Sequence, residues 1–109
     1  MKAGSVAVEQ ALDPLIGLFR SLTDKTRLNI LMLLAAGERN VGSLCQELGL
    51  PQPTVSHHLG LLRMQNLINN RRTGKQVFYS LGSGVRVSET EGLGFDIDGY
   101  AIRISPRAV

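Results

Sequence analysis

The sequence predicts an α+β fold, mainly α: a winged helix-turn-helix with an atypical β-rich C-terminal tail. Three observations carry that expectation. Between Asn40 and Leu67, two short segments with helical apolar spacing are joined by a tight turn, and two β-prone runs around Thr73-Gly74-Lys75 follow directly. From Leu48 through Ser88 there is no Asp or Glu, while Arg63, Arg71, Arg72, Lys75 and Arg86 all fall inside. After Leu81 no helical period can be drawn, and Gly82, Gly84, Gly92, Gly94 and Gly99 punctuate short β-prone pieces.

The first helical segment is Val8 to Leu22, in which Leu12, Leu15, Ile16, Phe19 and Leu22 keep an i, i+3, i+4, i+7 spacing. Pro14, with Asp13 before it, suits the first turn of a helix ending at Leu22, and Met1 to Val6 is expected to fray. Thr23 or Asp24 can cap a second helix, Lys25 to Ala36, with Leu28, Leu31, Leu34 and Ala35 on its apolar side and Gly37 as its stop. Asn40 can cap a third, with Val41, Leu44, Cys45 and Leu48 on one face and Gly49 ending it. A fourth helix starts near Pro53 and runs to about Gln65, with Asn66 as a left-handed terminator.

Leu67 to Arg72 and Gln76 to Leu81 then read as strands of a hairpin, Val77 and Tyr79 sharing one face and Phe78 and Ser80 the other. In the tail, Val85 to Val87, Phe95 to Ile97 and Tyr100 to Ile104 are the β-prone pieces, and Asp98-Gly99 is a hairpin turn between the last two. With 109 residues and 43% hydrophobic content there is room for one domain, not two. Residues 1–81 form the winged helix-turn-helix and residues 82–109 a β-prone extension of the same domain. The single Cys45 and the absence of a secretory h-region or membrane-length apolar run predict a cytoplasmic protein with no membrane partner.

The net charge of +3 is mild, but its distribution is not: Glu89, Glu91, Asp96 and Asp98 crowd one late segment and leave the middle of the chain cationic. On the fourth helix, Val55, Leu59 and Leu62 form the inward stripe, and Pro53, His57, Gly60 and Met64 lie opposite, flanked by Thr54 and Ser56. A major groove admits one helix, whose N-terminal residues reach the base edges. Gln52, Thr54, Ser56 and His57 are therefore the expected base-reading residues of a partner double-stranded DNA. His58, Arg63, Arg71, Arg72 and Lys75 are the expected backbone contacts. Gly60 in a helix interior reads either as close approach to DNA or as tolerated drift, and the charged hairpin tip either as a phosphate grip or as a solvated turn.

The runs LFRSLTDKTRLNILMLL, LCQELGLPQPTVSHHLGLLR and RRTGKQVFYSL together resemble the ArsR/SmtB family of bacterial repressors over Leu12 to Leu81. The matching features are the Asp24, Thr26 and Arg27 cluster, Thr54-Val55-Ser56 with His58-Leu59, Leu61-Leu62-Arg63, and Gly74 with Tyr79. The resemblance implies a homodimeric repressor on a palindromic operator, released by an effector that the sequence does not identify.

Two departures from that family matter. Where the metal-sensing branch has a Cys pair, this chain has Asn40 and Gly42, and the usual C-terminal pairing helix is replaced by the β-prone tail. No metal site, cofactor or catalytic set is expected. Cys45 lies on an apolar stripe and reads as an inert thiol, the alternative being a sensing role. Adjacent His57 and His58 point about 100° apart on a helix and form no metal pair. Asp96-x-Asp98-Gly99 begins like a calcium loop but lacks the later Glu. A competing function is a winged-helix module that binds protein instead, which the missing acids argue against.

Assembly follows from size. One such unit reads only a few base pairs, so two copies about 34–36 Å apart are needed for useful specificity. Leu12, Leu15, Ile16 and Phe19 are the expected dimerisation residues. The tail is expected to pack beside that helix or to add strands across the dimer, the alternative being a loose extension.

Overall fold

The computed structural model describes residues 2–97 and 99–107, with side chains described from residue 12 onward. The elements run α1 (Lys2–Leu22), α2 (Lys25–Ala36), β1 (Arg39–Asn40), α3 (Val41–Leu48) and α4 (Gln52–Met64), then β2 (Ile68–Thr73), β3 (Gln76–Leu81), β4 (Val85–Ser88), β5 (Gly92–Ile97) and β6 (Tyr100–Ile104). Two antiparallel three-stranded sheets form, ordered β1-β3-β2 and β4-β5-β6. The fold is α+β, with a winged helix-turn-helix followed by a β-sheet tail.

The helix boundaries follow local chemistry. Asp24 caps α2, accepting from the Arg27 amide at 3.0 Å, and Asn40 caps α3, accepting from the Ser43 amide at 2.8 Å. Gly49 ends α3 at φ 66°, and Asn66 takes φ 60° just after α4. The β2–β3 hairpin closes through Gly74, also left-handed at φ 62°, with Thr73 paired to Gln76.

Three expectations are corrected. First, α1 is one helix from Lys2, with Pro14 inside it and not at its start. Of Met1 to Val6, expected to fray, Met1 lies outside the described residues and the others are helical. Proline removes one helical hydrogen bond, but the apolar period continues across it, and anchoring of Leu18 and Leu22 on the core outweighs local propensity. Second, the α1 residue that enters the core is Leu18, 1% exposed, which the expected apolar stripe leaves out; Leu12, Ile16 and Phe19, expected at a dimer surface, are 37%, 47% and 47% exposed. Third, α2 has no single apolar side: Ile30, Leu31 and Leu34 are buried, Leu28 is half-buried and Ala35 is exposed. That helix is packed by α1, α3, α4 and β4, so apolar residues are needed around most of its circumference.

The tail is not a loose extension. Val85 and Phe95 enter the same core as Leu44, Val55, Leu59 and Leu62, and Val87, Leu93, Ile97 and Ile102 pack against it. The sheet rests mainly on α2, and Ile97 also borders a cleft with Asp13, Pro14, Gly17 and Leu18 of α1. Two glycines make this route possible. A Cβ at Gly82 would lie 2.4 Å from the Asn66 carbonyl oxygen, where the chain leaves the wing. At Gly92, φ is 92° and a Cβ would lie 1.9 Å from the Ile104 carbonyl oxygen. Asp98, expected in the β5–β6 turn, lies outside the described residues; the turn itself brings Ile97 opposite Tyr100 with Gly99 at φ 87°.

Candidate nucleic-acid interface

Helix α4 is held from below. Val55, Leu59 and Leu62 are fully buried, and this fixes the opposite face outward. Gln52, Thr54, Ser56 and His57 are all exposed there, together with Gly60 and Met64. Pro51 caps the helix without a side-chain acceptor, and Pro53 occupies the first turn. The start of α4 therefore keeps its positive dipole end open to an anion. A Cβ added at Gly60 would meet open space, so the outer face is flat at that point and nothing within the chain requires glycine there.

The wing meets this helix at its tip. Gln52 shares one cleft with Lys75 and Gln76 of the wing and with Asn40 and Gly42 at the start of α3. Asn40 Nδ2 donates to Gln76 Oε1 at 3.3 Å across that cleft. Arg63, Arg72 and Lys75 are exposed and form no ion pair among the described residues.

Two expected backbone contacts are engaged within the chain. Arg71 belongs to a tip expected to be free of acids, yet its Nη2 lies 2.6 Å from Glu38 Oε1, its Nε lies 3.3 Å from Glu38 Oε2, and it stacks 5.0 Å from the Phe78 ring. The acid-free run from Leu48 to Ser88 misses Glu38 because β1 pairs Asn40 with Phe78, which in turn faces Arg71, so an acid distant in sequence arrives beside the wing. The Arg71 hydrogen bond holds the Glu38 carboxyl below its ordinary range, and the same contact raises Arg71. Nothing local in a two-residue strand could have signalled this.

His58 is the second. It is half-buried, and its Nδ1 lies 3.2 Å from Arg27 Nη1. A guanidinium only donates, so Nδ1 accepts and the ring proton resides on Nε2. His58 thus has one nitrogen committed inside the protein and only the other available as a donor.

Cys45 is half-buried against the core beside Val41 and Leu48. Among the described residues, no group of three or more His, Cys, Asp or Glu side chains stands close enough to hold a metal. Asp96 is paired with Arg86 at 3.1 Å, which accounts for one of the two acids of the calcium-like spacing; Asp98 lies outside the described residues. No helix among the described residues is long and apolar enough to cross a membrane.

Residues 24–70 match the family model described as "Bacterial regulatory protein, arsR family". The biofilm growth-associated repressor of Agrobacterium fabrum is 35% identical over 100 residues, covering 92% of this chain and 80% of that protein. The HTH-type transcriptional regulator KmtR of Mycobacterium tuberculosis is 44% identical over 66 residues, 61% of this chain; the match spans only about half, 51%, of KmtR. Among solved structures, the homodimeric winged helix-turn-helix DNA-binding domain of Mb0332 from Mycobacterium bovis, a possible ArsR-family transcriptional regulator, superposes with a TM-score of 0.62. It is 34% identical, covering 64% of this chain and 65% of that one.

Proposed function

Because the chain belongs to the ArsR family of bacterial regulatory proteins, we propose that it is a sequence-specific DNA-binding transcriptional regulator, acting in the cytoplasm as a homodimeric repressor on a palindromic operator. The observation that carries this reading is the outward face of α4. Four residues able to read bases stand there on a helix whose other side is fully buried, next to a wing tip with two cations that are unpaired among the described residues.

In this reading α4 enters the major groove by its N-terminal turns. Gln52 makes hydrogen bonds to a base edge, and Thr54, Ser56 and His57 contact bases farther along the groove. Arg72 and Lys75 of the wing, with Arg63 at the far end of α4, neutralise phosphates and set the register. His58 can reach a phosphate only through Nε2. Leu12, Leu15, Ile16 and Phe19 of α1 form the surface on which the second copy packs. The repressor releases DNA when an effector binds.

The test is His57→Ala. Affinity for a duplex selected by the parent protein should fall by about 1–3 kcal/mol, with little change on random duplex. Equal losses on both would make His57 a backbone contact. Binding to neither duplex by the parent, with capture of a protein through the α4 face, would favour the protein-interaction reading.

A further inference from the structure

Helix α1 packs chiefly on α2, yet its last turn is also tied to α4 by a set of polar bonds centred on Arg27. The Arg27 side chain, 15% exposed, donates from Nη2 to the Arg20 carbonyl at 3.1 Å and from Nε to the Ser21 carbonyl at 3.2 Å. From Nη1 it donates to His58 Nδ1 at 3.2 Å. It therefore grips the carbonyl end of α1 with two prongs and the middle of α4 with a third. Asp24 Oδ2, 3.9 Å from Nη1, faces the same guanidinium. A second tie stands about two turns farther along α4: the hydroxyl of Ser21, itself 3% exposed, donates to Gln65 Oε1 just beyond the end of that helix. Gly17 lets α1 close on this point, since a Cβ there would sit 3.1 Å from Gln65 Nε2.

Two bonds at different heights on α4 fix a direction as well as a distance. The outer side of the same α1 carries Leu12, Ile16 and Phe19, the exposed apolar stripe. We propose that Arg27 and Ser21 are positioning residues, which lock the recognition helix α4 to α1 so that the spacing of two α4 helices in a dimer is set at α1. The proposal rests on the DNA-binding reading for its consequence, not for the lock itself. A planar fork is needed: three acceptors on two helices are served by one guanidinium, and an ammonium at the same place cannot span them. Bivalent binding makes the cost of losing the lock visible, because two linked sites gain roughly 10²–10⁴ in avidity only while both can engage together.

The experiment has two arms, applied to Arg27→Lys and, separately, to the milder Ser21→Ala. In the first, spin labels at Asp13→Cys on α1 and Gly60→Cys on α4, in a Cys45→Ala background diluted with unlabelled protein, report the α1–α4 distance without DNA. A single narrow distribution is expected in the parent and a broadened or split one in both variants. In the second arm, a palindromic duplex selected by the parent from a random library is compared with the same duplex carrying one scrambled half. The variants should lose roughly tenfold to a hundredfold on the palindrome and about twofold or less on the half-site. Unchanged distance distributions in both variants refute the lock, whatever the DNA does. Broadening with equal losses on both duplexes refutes the positioning role. If the parent binds no duplex, the DNA-binding reading fails and the distances alone decide the lock.

Discussion

Glu38→Gln should strengthen binding to DNA, although Glu38 lies outside the recognition helix and the wing hairpin. In the folded chain Arg71 is matched by Glu38 through contacts at 2.6 and 3.3 Å, so the pair presents almost no net charge to a phosphate. Arg72 and Lys75 are unmatched among the described residues. Each cation placed on a phosphate contributes about 0.9 to the slope of log affinity against log salt, so each wing of the dimer should supply about 1.8 in the parent. Removing the Glu38 charge frees Arg71 and should bring this to about 2.7. Between 50 and 200 mM salt, one added unit of that size means a further loss of roughly 3.5-fold in affinity. Fluorescence anisotropy with a random duplex, titrated in salt, reads these slopes directly. Arg72→Ala should lower the slope by about 0.9 per wing, about 1.8 for a dimer with both wings engaged, whereas Arg71→Ala should barely move it. Equal drops for the two arginines, or a slope unmoved by Glu38→Gln, would refute the claim that Glu38 neutralises Arg71.

Ile16→Glu should yield a folded monomer by light scattering, because Ile16 is 47% exposed in one chain and a charge there costs nothing until a second copy packs on it; a dimer of unchanged stability would remove α1 from the interface. Phe95→Ala should cost about 3–5 kcal/mol in denaturant unfolding, since Phe95 is 1% exposed, and truncation after Leu81 should leave a chain that no longer unfolds cooperatively. Asp24→Ala should cost about 0.5–2 kcal/mol at neutral pH through loss of the α2 cap. The Asp24 carboxyl is held below its ordinary 3.8, first by the Arg27 amide, so its contribution is complete above that value and fades as the pH falls through the lower folded value. Melting curves of parent and variant should therefore converge only below pH 3.8, and convergence near neutrality would contradict the cap.

What could be read without the fold was what is encoded locally. Asp24, Asn40, Gly49, Asn66 and Gly74 act through bonds or dihedral angles a few residues away, so caps, stops and the wing turn were legible. The inward stripe of α4 was legible for the same reason, because Val55, Leu59 and Leu62 keep one helical face. On α1 the surplus of apolar residues pointed to a surface beyond the core, but the core contact Leu18 was missed. Leu12, Ile16 and Phe19 outnumber Leu18, and periodicity alone cannot tell a core face from a face awaiting a partner. Ile30 was missed because α2 is packed on most sides and shows no single stripe. Strand β1, the Glu38–Arg71 pair and the Arg27–His58 contact join residues 30 or more positions apart, and no local pattern announces them.

In the proposed dimer, two copies of α4 read one palindrome. Selection of bound duplexes from a random library by the parent protein, followed by sequencing, tests it most directly. An inverted repeat whose half-site centres lie about 10–10.5 base pairs, or a multiple, apart should be enriched, and should be lost on replacing Gln52, Ser56 and His57 together by Ala. Enrichment of a single unrepeated site, or of no sequence at all, would contradict it.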